Sequence, residues 1–269
     1  MTIREPIPDP SNPLGMDGIE FIEYATSQPQ AFGALLQKMG YAAVARHRSR
    51  EVMLYRQGTM NLIVNAHPAA LPGMSAPGST PTIAAIALRV RDAGHAHRHA
   101  IDLGAWDMPS RAAAMELNIP GIHGVGDSLV YFVDRHQEFS IYDVDFVPLS
   151  GTDPRPPAVT GLHYFGVVQS ILEDRTPDWV DFYQTLFGFS TLPAGRFFGV
   201  LPKGTLLESP CRKFYLQLIE PPPGAGDSRE TSSIKSVNFI STNAVSRFFG
   251  RPRTRSSILN SETSFKPSD

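Results

Sequence analysis

The sequence predicts an α+β fold built from repeated βαβββ modules, three of them followed by a degenerate fourth. Two observations carry that expectation. An apolar strand, an amphipathic helix closed by glycine and further strands begin near Gly18, again near Thr82 and again near Thr160. Past Asp227 this order gives way to a segment rich in Ser, Thr and Arg. A single module leaves one sheet face unburied, so the copies are expected to pair into curved sheets covered by their helices.

In the first copy Ile19, Phe21 and Ile22 read as a strand, and residues 29–39 as a helix. Phe32, Leu35, Leu36 and Met39 fall at i, i+3, i+4 and i+7, one face of a helix. Gly40 stands where a left-handed residue closes such a helix. Strands are expected over residues 46–55 and 60–65, with a turn at Gln57 and Gly58. A Pro-, Gly- and Ser-rich loop over 68–81 leads to the second copy.

That copy reads as a strand over 83–90, a helix over 93–103 closed by Gly104, and strands over 128–133 and 139–147. The glycines between 121 and 126 lack the strand-to-helix context of a phosphate loop and read as a turn. The third copy opens with a strand over 161–168, and Thr176 then caps a helix that has Pro177 at its first position. Trp179, Phe182, Tyr183, Leu186 and Phe187 form the buried face of that helix, Gly188 ends it, and strands follow over 197–201 and 213–219.

Residues 150–158, Pro-rich and polar, form a linker between an N-terminal two-module domain at 15–149 and the third module at 159–225. Residues 226–269 are a degenerate tail whose plain reading is disorder. A shifted reading frame would explain its abrupt change of composition.

With 269 residues, 42% of them hydrophobic, and a net charge of −2, the chain can fill one large or two ordinary domains. There is no basic excess to suit nucleic acid, and no apolar run approaches the roughly 20 residues that cross a bilayer. The polar, Pro-rich start is neither a secretory signal nor a transit peptide, so a cytoplasmic location is expected. Cys211 stands alone, which excludes disulfides and thiolate zinc sites, and it reads as a small loop residue.

Several longer motifs carry a family resemblance. Gly18-Ile-Glu-Phe-Ile-Glu-Tyr-Ala, then Met39-Gly-Tyr, then the stretch 47–65 resemble the amino-terminal domain of bacterial 4-hydroxyphenylpyruvate dioxygenases. Met115-Glu-Leu-Asn-Ile-Pro-Gly-Ile-His-Gly-Val-Gly and Ser140-Ile-Tyr-Asp-Val-Asp-Phe continue the match, which covers about residues 15–225. The resemblance implies the vicinal-oxygen-chelate architecture, four βαβββ modules with catalysis in the carboxy-terminal pair. It implies a non-haem Fe(II) oxygenase of tyrosine catabolism whose small-molecule partners are a 2-oxo acid and dioxygen, and which converts 4-hydroxyphenylpyruvate to homogentisate. Two histidines and a carboxylate hold the iron in such sites.

Carried over residue by residue, the resemblance assigns the first metal histidine to His163 in Gly161-Leu-His-Tyr-Phe-Gly. Leu162 replaces the usual acidic residue before it, and Gly166 the histidine that normally follows. In Ile234-Lys-Ser-Val-Asn-Phe, Ser236 stands where the second histidine belongs, and no strand bearing the terminal glutamate follows. A serine is expected near Pro202 and an asparagine near Ile219. Gln217 and Glu220 are the candidate substitute ligands, although Gln217 alternates with Leu216 and Leu218 and so also reads as a solvent-facing residue.

Among weaker candidates, His95 and His99 share one face of the second helix and read as solvated. Asp143 and Asp145 share one face of a predicted strand without a defined partner. A catalytically silent binding or scaffolding relative, pairing into a homo-oligomer through exposed module edges, is the alternative reading. A different activity of the same superfamily is another.

Overall fold

The computed structural model describes residues 9–66, 78–109, 112, 116–126, 128–136, 139–193 and 204–221, together with the backbone of Ser233–Ser241. The first module is β1 (Ile19–Ala25), α1 (Pro29–Lys38), β2 (Ala42–His47), β3 (Val52–Gln57) and β4 (Met60–Asn65). The second is β5 (Thr82–Arg89), α2 (Ala93–Asp102), β6 (Gly121–His123), β7 (Leu129–Val133), α3 (Ile141–Asp145) and β8 (Phe146–Pro148). After a 3-10 turn at Val159–Gly161 come β9 (Leu162–Ser170), α4 (Thr176–Phe187), β10 (Ser190–Thr191), β11 (Thr205–Glu208), β12 (Tyr215–Ile219) and β13 (Ser233–Ser241).

The repeat is visible in the pairing. Each opening strand runs parallel to a later strand of its own module: β1 to β4, β5 to β7, and β9 to β12. Opening strands of successive modules pair antiparallel, with Ile22 opposite Ile86 in β1–β5 and Val167 opposite Val237 in β9–β13. The result is an eight-stranded sheet, β6-β7-β5-β1-β4-β3-β2-β8, and a five-stranded sheet, β10-β11-β12-β9-β13. This is the curved-sheet α+β fold of the vicinal-oxygen-chelate type. β13 opens a fourth module in the place that β5 takes in the first pair, so the segment after Asp227 is not structureless throughout.

Alternation along the strands gives the large sheet two apolar faces. On one face Ile22, Leu62, Val64, Ile86 and Leu88 meet α1, α2 and the third module in a continuous core that includes Val167, Phe187, Leu207, Leu216 and Leu218. On the other, Phe21, Val52, Leu54 and Ile63 close over Ile141, Tyr142 and Phe146 as a cup. Gly40, Gly104 and Gly188 all have positive φ just past their helices, as expected of left-handed closures. Gly33 is required for another reason, since a Cβ there would lie 2.1 Å from the Tyr55 hydroxyl.

Residues 154–159 are fastened to the β3–β4 hairpin. Gly58 donates its backbone N–H to the Pro156 carbonyl at 2.8 Å, and Arg56 Nη1 donates to the Pro154 carbonyl at 2.7 Å. Val159 N–H donates to Gln57 Oε1 at 3.1 Å, and a Cβ at Gly58 would come within 2.7 Å of Ala158 Cβ. The Tyr164 hydroxyl adds a bond to the Asn61 carbonyl at 2.5 Å.

Several local expectations are corrected. The strand expected over 46–55 is broken after His47, where Arg48, Ser49, Arg50 and Glu51 turn the chain between β2 and β3. The strand expected over 139–147 is the short helix α3, nucleated by a capping box between Ser140 and Asp143, followed by β8. Part of the turn expected over 121–126 is β6. The strand expected over 197–201 lies outside the described residues, as do the loop over 68–77 and the tail from 242 onward. No helix among the described residues is long and apolar enough to cross a membrane.

Candidate functional site

His163 is the second residue of β9, just after the 3-10 turn, half-buried, with Nδ1 3.4 Å from the Gly161 carbonyl. It borders a cleft of about 280 Å³ with Asp17, Thr59, Arg89, Arg212 and Lys213. Asp17 accepts from Lys213 Nζ at 2.6 Å, and Arg89 Nε is paired with the buried carboxylate of Glu20 at 2.5 Å. With Lys213 paired to Asp17 and Arg89 to Glu20, Arg212 leaves the cleft one positive charge in excess, and His163 is its one imidazole. Among the described residues no group of three His, Cys, Asp or Glu side chains is placed to hold a metal ion. Among the described residues the donor set around His163 does not fit ferrous iron.

The structure does not bring the two substitute ligands to His163. Gln217 lies level with Val168 on the neighbouring strand, about 16 Å along β9 from His163 at ~3.3 Å per residue. Nor does it face solvent: it is only 5% exposed, level with Leu206 of β11 and Val168 of β9. Glu220 lies beyond Ile219, which pairs with Ser170, farther still from His163. Its carboxylate Oε1 accepts the backbone N–H of Thr176 at 2.8 Å and the Thr176 hydroxyl at 2.5 Å. Thr176 is thus the first residue of α4 rather than its cap, and Glu220 supplies the cap that Arg175 does not. These hydrogen bonds hold the Glu220 carboxyl below its ordinary range. Ser236 falls opposite Val168 in β13.

The remaining candidates take structural places. Cys211 lies in the loop before β12 with Sγ 3.4 Å from Ser209 Oγ. His95 and His99 have ring centroids 6.3 Å apart on α2, and His97 Nε2 lies 2.8 Å from Asp107. Asp143 belongs to the capping box of α3, while Asp145 is buried and accepts the Leu117 N–H at 3.0 Å.

Sequence reading missed a second set of polar side chains, inside the cup of the large sheet. A cavity of about 150 Å³ opens there beside Glu23, His47, Arg50, Glu116, Tyr131 and Asp145. Arg50 grips Glu116 with Nε and Nη2, and Ser49 Oγ donates to the same carboxylate at 2.7 Å. Glu23 is buried, accepts from Asn65 Nδ2 at 2.7 Å, and is pushed toward its protonated form by desolvation. Burial likewise raises the Asp145 carboxyl and lowers the His47 imidazole toward neutrality. The signal was available: Glu23 is one strand alternation from Phe21, so a carboxylate shares the apolar face that closes the cup.

Residues 11–147 match the family model described as hydroxyphenylpyruvate dioxygenase, N-terminal. The chain belongs to that family. It is 38% identical over 200 residues to a 4-hydroxyphenylpyruvate dioxygenase of a Pseudomonas strain, an alignment covering 74% of this chain and 55% of that protein. It is 36% identical over 222 residues to hemolysin VllY of Vibrio vulnificus, covering 79% of this chain and 61% of the relative. The chain thus spans less than two thirds of the length of these curated relatives. Among solved structures, a fusion of a xylose isomerase-like TIM barrel with a 4-hydroxyphenylpyruvate dioxygenase superposes with a TM-score of 0.66 at 26% identity. That match covers 86% of this chain and 37% of the fusion protein.

Proposed function

We propose that the chain serves 4-hydroxyphenylpyruvate dioxygenase chemistry, the conversion of 4-hydroxyphenylpyruvate and dioxygen to homogentisate in tyrosine catabolism with Fe(II) as cofactor. Family membership over residues 11–147 carries this reading, and the position of His163 at the start of β9 agrees with it. His163 is the one iron ligand that the resemblance assigns in this chain, since Ser236 stands where the second histidine belongs and no strand bearing the glutamate follows. The test is metal analysis of the purified chain with oxygen uptake on 4-hydroxyphenylpyruvate, repeated for His163→Ala. Stoichiometric iron and oxygen uptake, both lost in the variant, support the proposal. Iron-free protein with no uptake, even after ferrous reconstitution, overturns it.

A second reading is favoured by a specific observation. Once Glu20 pairs with Arg89 and Asp17 with Lys213, Arg212 leaves the cleft beside His163 one positive charge in excess, which suits an anion, as in a catalytically silent relative that binds a carboxylate. Calorimetric binding of 4-hydroxyphenylpyruvate to chelator-treated protein, weakened by Arg212→Ala, would separate the two.

A further inference from the structure

The cup on the far side of the large sheet takes no part in the chemistry proposed above, yet it has the makings of a ligand site. Its volume of about 150 Å³ is roughly ten times the 10–15 Å³ that one water needs, so a single small ring fits. The ligand end is defined by charge. Glu23, Asp145 and Glu116 contribute three carboxyls against a single guanidinium, and the fork of Arg50 is already closed on Glu116. An anionic ligand would meet this carboxylate-rich lining without a vacant fork to grip it.

The walls are aromatic. Phe21 and Tyr131 lie with ring centroids 6.0 Å apart, tilted by 43°, and Phe146 closes another side. A carboxyl flanked by aromatic faces is the arrangement that recognises an organic ammonium, through ion pairing and attraction to the ring faces. Burial disfavours the charged form of Glu23, and an ammonium ion beside it would restore that form.

We infer that the cup bounded by Phe21, Glu23, Tyr131, Asp145 and Phe146 binds a small arylalkylamine as its ammonium ion. Asn65, which also lines the cup, donates to Glu23 Oε1 and fixes the carboxyl. This site is independent of iron and of His163, so its success or failure leaves the dioxygenase reading untouched.

Calorimetric titration of the full chain with benzylamine, benzyl alcohol and benzoate tests the inference, alongside Glu23→Gln. Benzylamine is expected to bind at least tenfold more tightly than benzyl alcohol, benzoate not at all, and Glu23→Gln to weaken benzylamine at least tenfold. Equal binding of the amine and the alcohol, preference for benzoate, unchanged affinity in the variant, or no amine binding would each overturn it. Should Glu23→Gln fail to fold, amide shift mapping of benzylamine on the unaltered chain decides. Shifts centred on Glu23, Asn65 and Tyr131 support the site, and shifts confined elsewhere refute it.

Discussion

Replacing Glu220 by alanine is expected to loosen the start of α4 and to leave any bound metal unaffected. Its carboxylate accepts the Thr176 N–H at 2.8 Å and the Thr176 hydroxyl at 2.5 Å, while Arg175 at the cap position offers no side-chain bond. Loss of a helix cap costs about 1 kcal/mol. Removing a carboxylate from the positive end of the helix dipole adds about 0.3–1 kcal/mol, and partial exposure of Glu220 places it at the low end. The sum, about 1.3 kcal/mol, corresponds to a thermal midpoint lower by roughly 3–5 °C. Glu220→Gln keeps the acceptor but not the charge and should lose less. The pH dependence follows from the depressed native pKa: the contribution is present above the unfolded-state value of about 4.3 and is lost as pH falls through the lower native value. Thermal unfolding by circular dichroism at neutral and acidic pH measures all of this. An unchanged midpoint at pH 7, or a difference between wild type and alanine variant that grows on acidification, would refute the capping role.

Gly33→Ala, normally favourable inside a helix, should destabilise by about 1–3 kcal/mol because the new methyl meets the Tyr55 hydroxyl at 2.1 Å; urea unfolding reads the sign. Tyr164→Phe should cost about 1–2 kcal/mol by leaving the Asn61 carbonyl without its donor, again by urea midpoint. For Glu23, burial raises the native pKa, so the wild type loses stability as pH climbs from the unfolded value of about 4.3 toward the native one. Glu23→Gln lacks that loss, and its stability advantage, read by urea unfolding, should widen as pH rises above about 4.3 and vanish below.

The helices were legible because periodicity and glycine closure coincide at Phe32 to Gly40 and at Tyr183 to Gly188, and each reports the same boundary. α3 was not legible, since five residues cannot display a 3.6-residue period and Ile141, Asp143 and Asp145 imitate strand alternation. At the site, His163 was named a candidate from its motif, and its place in β9 follows from the strand around it. The fates of Gln217 and Glu220 were not, because each depends on a partner distant in sequence. Val168 and Leu206 flank Gln217, and Thr176 captures Glu220 from 44 residues away. Polar alternation on β12 suggested solvent because a local pattern does not show whether the second face of a sheet is covered, and Gln217 is buried there.

The bonds from Gly58, Arg56 and Gln57 to residues 154–159 turn a Pro-rich connector into a strap. A strap leaves no hinge at which the third module could swing away from the first pair, and the shared core behind it couples their fates. The chain should melt in one cooperative transition, and any partner strand docking on β13 would meet an edge whose orientation the first two modules have already set.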